Sequence, residues 1–194
     1  MNDVTSQAPQ AASDHSLVTT PISAETPRWT HRLRDGTGVL IRALRKEDAA
    51  LERTFIERLS PASRRFRFLG QIASPSDELI RSLTDIDYVH DVAFVALLHA
   101  DNEKKEIGVA RYGTSADGTR CECAVTVADE WQGRGLGTVL LEHLVDVARE
   151  RGIREMYSID AADNHAMRDL ADAFGFTRTT DPDDPTLVTH RLRL

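Results

Sequence analysis

The chain has 194 residues, enough for one domain with a substantial hydrophobic core. Its formal net charge of −7 disfavours nucleic acid as a partner, and no apolar run reaches the length of a membrane span. The two cysteines, Cys121 and Cys123, share one face of a predicted strand, where a mutual disulfide would be strained. Because the start of the chain also lacks a signal-peptide pattern, we expect a cytoplasmic protein without membrane partners.

Residues 1–28 are predicted to form a disordered N-terminal tail. This stretch is rich in Ser, Thr, Ala, Gln and Pro and offers little to bury. The tail has two interpretations, a regulatory or targeting segment and inert disorder, of which the second is simpler. We therefore expect one folded domain over residues 29–194.

The first half of that domain alternates strand and helix patterns. A turn at Arg34–Thr37 precedes a predicted strand at Val39–Leu44. A helix of about 14 residues should follow, because four apolar residues recur on one face: Leu51, Phe55, Ile56 and Leu59. Ser60 and Ser74 each precede a proline, which predicts two helix N-caps.

Three strands are predicted in the middle of the chain, at Val92–Leu98, Ile107–Thr114 and Arg120–Val127. The dipeptides Asp101-Asn102 and Asp117-Gly118 supply the turns between them. An amphipathic helix follows and ends near Gly152. After it we predict a short strand at Met156–Ile159, a second helix at Asn164–Phe174, and a hairpin formed by Phe176–Thr180 and Leu187–Leu192. This order predicts an α/β (α+β) fold, with a mixed, mostly antiparallel sheet flanked by helices.

A glycine-rich run at Gln132–Thr138 joins the third of these strands to the amphipathic helix. Three glycines in five residues, Gly133, Gly135 and Gly137, are entropically costly, so a simple connection explains them poorly. Glycines let backbone N–H groups converge, and a helix start adds unpaired donors and partial positive charge. The run therefore predicts a pyrophosphate-binding loop.

Three kinds of pyrophosphate loop can be compared on spacing. A Walker loop requires a Lys before its Ser or Thr, and Gly137-Thr138 lacks one. A dinucleotide-binding fold places its glycines in an early βαβ unit, whereas this run comes two-thirds of the way along the chain. The third kind holds coenzyme A in N-acetyltransferases and needs Gln or Arg, any residue, Gly, any residue, then Gly or Ala. Gln132–Gly137 matches that pattern without a departure.

Over Trp29–Leu194 the chain resembles the GNAT N-acetyltransferase superfamily. Besides the loop, Asn164 with Phe174-Gly175-Phe176 matches the family's "Asn … Gly-Phe" signature, and Arg42 with Glu47-Asp48 matches its "Arg … Glu-Asp". A closer similarity is to the catalytic domain of Pat-type bacterial protein lysine acetyltransferases, carried by residues 59–68, 108–112 and 122–131. The resemblance leaves regulation open.

The resemblance implies a GNAT fold whose sheet splays apart at the coenzyme site, acetyl-CoA as co-substrate, and no metal. It implies that the acetyl acceptor is a protein lysine. A small amine is an alternative acceptor, and a non-catalytic acyl-CoA-binding module is an alternative function. The residues implied in coenzyme binding are Val125, Val127, Gln132, Gly133, Arg134, Gly135, Leu136, Gly137, Thr138 and Asn164. Among them, Arg134 has solvent exposure as its alternative role, and Asn164 has helix capping.

Glu122 is the predicted general base. A lysine ammonium has a pKa of about 10.4 in solution, so a carboxylate must take its proton. Glu122 alternates with the two cysteines and should project from the opposite sheet face. Its alternative role is an ion pair with Arg111. The Pat-type resemblance places the catalytic Glu at position 122.

The resemblance also identifies a missing group and a second surface. Many family members carry a Tyr, as general acid, seven residues after the Asn, where this chain has Ala171. We expect Tyr157 in the strand core and His165 on a helix surface, so neither replaces that Tyr. Arg64, Arg65 and Arg67 interleave with Phe66 and Phe68. We expect buried Phe side chains and solvated or paired Arg side chains there, beside the acceptor groove.

Overall fold

A computed structural model describes residues 28–70, 74–100 and 103–194. Its strands form one sheet in the order β1-β2-β3-β4-β5-β6-β8-β7. Neighbouring strands are antiparallel except β5 and β6, which are parallel. The strands are β1 (Arg28–Arg32), β2 (Gly38–Ala43), β3 (Asp91–Ala100), β4 (Glu103–Thr114), β5 (Arg120–Val127), β6 (Glu155–Ala161), β7 (Thr177–Thr180) and β8 (Leu187–Arg193).

Helices cover both faces of this sheet. They are α1 (Ala49–Arg58), α2 (Pro61–Phe68), α3 (Asp77–Thr84), α4 (Leu136–Glu150) and α5 (His165–Ala173). In the part of the chain that the structure describes, none of these helices is long and apolar enough to span a bilayer. The mixed, mostly antiparallel sheet with flanking helices confirms the predicted fold class.

Helix α4 packs against one face of the sheet through a fully buried leucine stripe that includes Leu136, Leu140 and Leu144. Gly108 in β4 permits this close approach, because a Cβ there would lie 3.1 Å from Leu140 Cδ1 and 3.2 Å from Leu136 Cδ2. On the opposite face, helices α1 and α3 bury a second cluster around Val109. The sheet is thus a central layer between two cores.

Strands β5 and β6 pair over only three residues. The register joins Arg120 to Glu155, Cys121 to Met156 and Glu122 to Tyr157, and no pair follows. Beyond Glu122 the two strands separate, which confirms the predicted splay of the sheet. The opening lies beside the glycine-rich run at the start of α4.

Several predicted boundaries change in the structure. Helix α1 ends at Arg58 because Ser60 caps a new helix, accepting a hydrogen bond from Ser63 N at 3.1 Å. The N-cap predicted at Ser74 is wrong: Ser76 caps α3 instead, since its Oγ accepts from Leu79 N. The predicted turn at residues 101–102 and residues 1–27 of the predicted tail lie outside the described residues, and Arg28, the last residue assigned to that tail, begins β1.

Candidate active site

A cavity of about 840 Å³ occupies the opening between β5 and β6. The second half of β5 forms one wall, β6 and α5 form the other, and the glycine-rich run closes one end. The cavity brings together most of the predicted site residues: Glu122, Val125, Val127, Gln132, Gly133, Gly135, Gly137, Thr138 and Asn164. Arg134 and Leu136 do not line it, and Leu136 is 1% exposed in the core.

The glycine-rich run turns through conformations that favour glycine. Gly133 has a φ of +72° and Gly135 a φ of +90°. Gly135 is the N-cap of α4 and has no side chain to accept from the helix, so the N–H groups of the first turn are unpaired within it. At Gly137 a Cβ would extend to within 3.8 Å of Val127 Cγ2. The run therefore presents backbone donors to a space without side-chain obstruction, which favours an anion.

Arg134 is held by the turn between β1 and β2. Its guanidinium lies 2.6 Å from the Asp35 carboxylate and 4.5 Å above the Trp131 ring. Hydrogen bonds from Thr37 and from Arg134 lower the pKa of Asp35. The Arg134 side chain is thus paired rather than freely solvated, and its coenzyme contact stays a prediction.

Arg34 is a cavity residue that sequence reasoning missed. Its backbone N–H donates to the backbone carbonyl of Arg134 at 3.2 Å. Its side-chain Nε lies 3.5 Å from the point that a Cβ added at Gly135 would occupy. Its side chain is exposed and lines the cavity. No ion pair is recorded for Arg34 with any described residue. The glycine-rich run therefore has an available cation beside it, supplied by the β1–β2 turn.

Glu122 is exposed and lines the cavity at the point where strand pairing stops. The predicted alternative, an ion pair with Arg111, is absent among residues 28–70, 74–100 and 103–194. Arg111 instead donates to Leu83 O at 3.4 Å. The predicted projection away from the buried cysteines is confirmed, because Glu122 is exposed while Cys121 and Cys123 are buried.

Tyr157 contacts the Glu122 carboxylate. Its hydroxyl donates to Glu122 Oε2 at 3.4 Å, a long hydrogen bond. Burial and the Glu122 charge raise the pKa of Tyr157. The expected core position for Tyr157 is wrong, because the side chains of Met156 and Ser158 take the buried face of β6.

Asn164 caps helix α5. Its Oδ1 accepts a hydrogen bond from Met167 N at 3.2 Å, which confirms the capping role. Asn164 also lines the cavity. Seven residues further on, Ala171 is 1% exposed, so this position carries no acid.

Helix α2 forms the cavity wall next to Glu122. Its N-cap is fixed by Asp129, which accepts from Ser60 N at 2.8 Å and from Ser63 Oγ at 2.8 Å. Arg65 pairs with Asp163 at 2.6 Å, linking α2 to the residues before α5. Phe66 and Phe68 are half-buried and line the cavity with Arg67, so the expectation of fully buried Phe side chains is wrong.

Comparison with known proteins agrees with this geometry. The profile of the family described as "Acetyltransferase (GNAT) family" matches residues 57–176. An acetyltransferase of Pseudomonas aeruginosa is 55% identical over 172 residues, covering 89% of this chain and 92% of the relative. Acetyltransferase Pat of Mycolicibacterium smegmatis is 31% identical over 111 residues, covering 57% of this chain and 33% of that protein.

The GNAT domain of S. lividans PAT is a similar solved structure. It superimposes with a TM-score of 0.78 and 28% identity, covering 86% of this chain and 97% of that domain. A fold with this splayed sheet and glycine-rich helix start defines an acyl-coenzyme A transferase. The chain belongs to the GNAT acetyltransferase family. Acetyltransferases of this fold use acetyl-CoA and an acceptor substrate.

Proposed function

We propose that this acetyltransferase transfers the acetyl group of acetyl-CoA directly to the ε-amine of protein lysines, with Glu122 as general base. One observation carries the proposal: an exposed carboxylate without a cationic partner in the described ranges stands in the coenzyme-sized cavity where β5 leaves β6. A base must reach solvent-borne substrate and must be unpaired, and Glu122 meets both conditions.

The glycine-rich run supports the placement of the coenzyme. The pyrophosphate would accept from the backbone of residues 132–138 at the N-terminus of α4. Arg34 would add a charge-assisted contact, because it lines the same cavity and Arg134 is engaged by Asp35. Asn164 would contact the pantetheine arm from the other wall.

The register of β5 supports Val127 as the oxyanion donor. Ala128 N donates to Ile107 O at 2.9 Å on the β4 side. Since donors alternate along a strand, the Val127 N–H faces away from β4 and toward the opening. The Val127 carbonyl accepts from Gln132 Nε2 at 3.1 Å. The Val127 N–H, which faces the opening, would donate to the thioester oxygen as that oxygen gains negative charge.

The chemistry then needs one proton transfer before attack. A lysine amine arrives protonated at neutral pH, since its pKa is about 10.4. Glu122 takes that proton directly or through one water. The neutral amine attacks the thioester carbon held between Val125 and Val127, the carbon–sulfur bond breaks with its electron pair passing to sulfur, and the nitrogen loses a second proton to give the amide.

The character of the cavity mouth supports a macromolecular acceptor. Two large apolar side chains are exposed beside it, Leu69 at 44% and Ile159 at 38%, and both line the cavity. Exposed apolar side chains at the rim favour contact with a polypeptide over a small polar amine. The resemblance of residues 59–68, 108–112 and 122–131 to Pat-type protein lysine acetyltransferases also favours a protein acceptor.

The test is mass spectrometry of a chemically deacetylated lysate incubated with acetyl-CoA and the protein. Glu122→Gln and a heat-inactivated sample serve as controls for non-enzymatic acetylation. A few lysines that are acetylated strongly by the wild-type protein alone would support the proposal. Release of coenzyme A with polyamines or amino acids, without specific lysine modification, would establish a small-amine acceptor instead.

A further inference from the structure

Three polar side chains form a cluster on the wall of the cavity opposite the predicted base. Ser158 Oγ donates to Asp160 Oδ2 at 2.6 Å, and His190 Nδ1 lies 4.0 Å from the same oxygen. Ser158 and His190 are each 1% exposed. Asp160 lines the cavity, whereas the other two lie behind it. Asp160 is therefore the member of the cluster that a bound molecule would meet.

Burial shifts both titratable groups of the cluster toward their neutral forms. Burial raises the pKa of Asp160, opposed by the Ser158 hydrogen bond and the His190 charge. Burial lowers the pKa of His190, opposed by the Asp160 charge, with smaller effects of Arg178 from β7 and Asp172 from α5. Cys123, on the facing strand, stays a thiol because burial raises its pKa. The Asp160 carboxyl therefore keeps its proton to a higher pH than an ordinary Asp, and the His190 ring stays neutral to a lower pH than an ordinary His.

His190 has an unusual environment for a buried ring. Across the described ranges, neither its Nδ1 nor its Nε2 has a hydrogen-bond partner. Buried polar atoms without partners are costly and often mark a functional group. Asp160, 4.0 Å from the ring, is the acid that lies between His190 and the cavity.

The side chains of Asp160 and Glu122 lie on opposite faces of the sheet. Tyr157 stands with Glu122 at the last β5–β6 pair. Asp160 is three residues further along β6, so its side chain points to the other face of the sheet. The amine and Glu122 would approach from one face, and the departing sulfur would meet Asp160 on the other. Ala171 supplies no acid there.

We propose, resting on the function proposed above, that Asp160 is the general acid that protonates the departing coenzyme A thiolate. As the carbon–sulfur bond breaks, its electron pair passes to sulfur, and sulfur takes the proton of the Asp160 carboxyl. The products are the acetylated amine and the coenzyme A thiol. Glu122 takes two protons from the amine nitrogen in turn, one before attack and one as the amide forms, and passes both to solvent, while solvent returns one proton to Asp160.

Asp160→Asn tests the proposal, with Asp183→Asn as a matched control on the exposed loop between β7 and β8. We expect kcat to fall by about 10² in Asp160→Asn, with the Kd of acetyl-CoA and the melting temperature kept. Ionisation of the amine affects both proteins equally, so it cancels in the ratio of wild-type kcat to Asp160→Asn kcat. This ratio should fall as pH rises, because Asp160 of the wild-type protein then loses the proton that it donates. Transfer from acetyl-seleno-CoA should suffer much less, because a selenolate is a better leaving group.

Ser158→Ala provides a second test, which remains usable if Asp160→Asn fails to fold, because it keeps Asp160 in place. It removes a hydrogen bond that stabilises the carboxylate, so the fall in activity should move to higher pH. An NMR titration of the Asp160 carboxyl carbon in the free protein should show a midpoint above the ordinary Asp range, raised further in Ser158→Ala. An ordinary midpoint, or equal loss with the sulfur and selenium donors, would overturn the proposal, while unchanged Glu122 dependence would leave the proposed function standing.

Discussion

The Arg134 guanidinium and the Asp35 carboxylate form an ion pair of 2.6 Å that joins the glycine-rich run to the β1–β2 turn. The two residues are 99 positions apart in the chain. Through this pair, and through the hydrogen bond from Arg34 N to Arg134 O, the turn is fixed against the predicted pyrophosphate site. Arg34 is thereby held where a coenzyme phosphate would lie.

Replacing Gly135 with Val should weaken acetyl-CoA binding strongly. The φ of +90° at this N-cap strains any residue with a Cβ, and a branched side chain would block approach to the backbone donors. Isothermal titration calorimetry with acetyl-CoA measures the effect. Gly118→Val, at a φ of +66° in a remote turn, controls for backbone strain alone. Equal affinity in the Gly135 variant would place the coenzyme elsewhere.

Arg34→Gln should lower the affinity for acetyl-CoA about tenfold, the loss expected for one charge-assisted hydrogen bond. Arg32→Gln is the control, because Arg32 is exposed on the same hairpin and donates to Gly36 O. Binding at two salt concentrations should show a weaker salt dependence in Arg34→Gln than in the wild type. Titration with dephospho-CoA separates the pyrophosphate from the 3′-phosphate as the partner.

Glu122→Gln should reduce turnover by about 10²–10⁴ and leave acetyl-CoA affinity nearly unchanged, since the amide keeps the size and loses the proton acceptor. The variant's rate should rise with pH, because more of the amine is then neutral. Steady-state kinetics on one identified acceptor across pH provides the measurement. Glu142→Gln, on the exposed side of α4, is the control. A near wild-type rate at neutral pH would exclude Glu122 as base.

Removal of residues 1–27 should leave the melting temperature unchanged, given the polar, low-complexity composition of that stretch. A longer deletion, after which the chain starts at Gly38, should lower the melting temperature because it removes β1. Trp29 in that strand stacks on His143 of α4 with ring centroids 3.7 Å apart. Differential scanning calorimetry compares the two truncations. Equal stability of both would mean that β1 contributes no net stabilisation.

His143 should make the fold less stable in mild acid. Burial and the neighbouring His31 lower the pKa of His143 from 6.5 to about 4. The folded state therefore binds this proton less readily than the unfolded state, so stability is lost as pH falls from about 6.5 toward 4. Thermal unfolding across that window should show the fall, and His143→Phe, which keeps the stack on Trp29, should reduce it.

Much of the fold follows from local patterns. Alternation predicts the strands, and the Ser60 cap and the glycine-rich run mark two helix starts that the structure keeps. The cavity residues of that run and of β5 also follow, because they are contiguous in sequence. The fold class and the end of the cavity formed by the glycine-rich run are therefore predictable from the sequence.

The remainder depends on register between distant strands. The point where β6 leaves β5 decides that Tyr157 meets Glu122, and it is set by pairing rather than by either strand's sequence. Asp160 finds His190 because Ser158 lies opposite His190 in the β6–β8 register. A single-residue slip would send these side chains to the other face. The missed contacts are thus those that local patterns cannot encode.

The three-residue ladder between β5 and β6 also limits how this enzyme can change. A fourth residue pair between β5 and β6 would shorten the cavity between these strands and place Glu122 away from the cavity opening. With two pairs instead of three, the backbone of Glu122 would lose the strand pairing that holds its carboxylate in position. If Glu122 is the base proposed above, the number of paired residues sets its distance from the coenzyme. Substitutions in the outer helices would then change which acceptors enter the cavity without changing that distance.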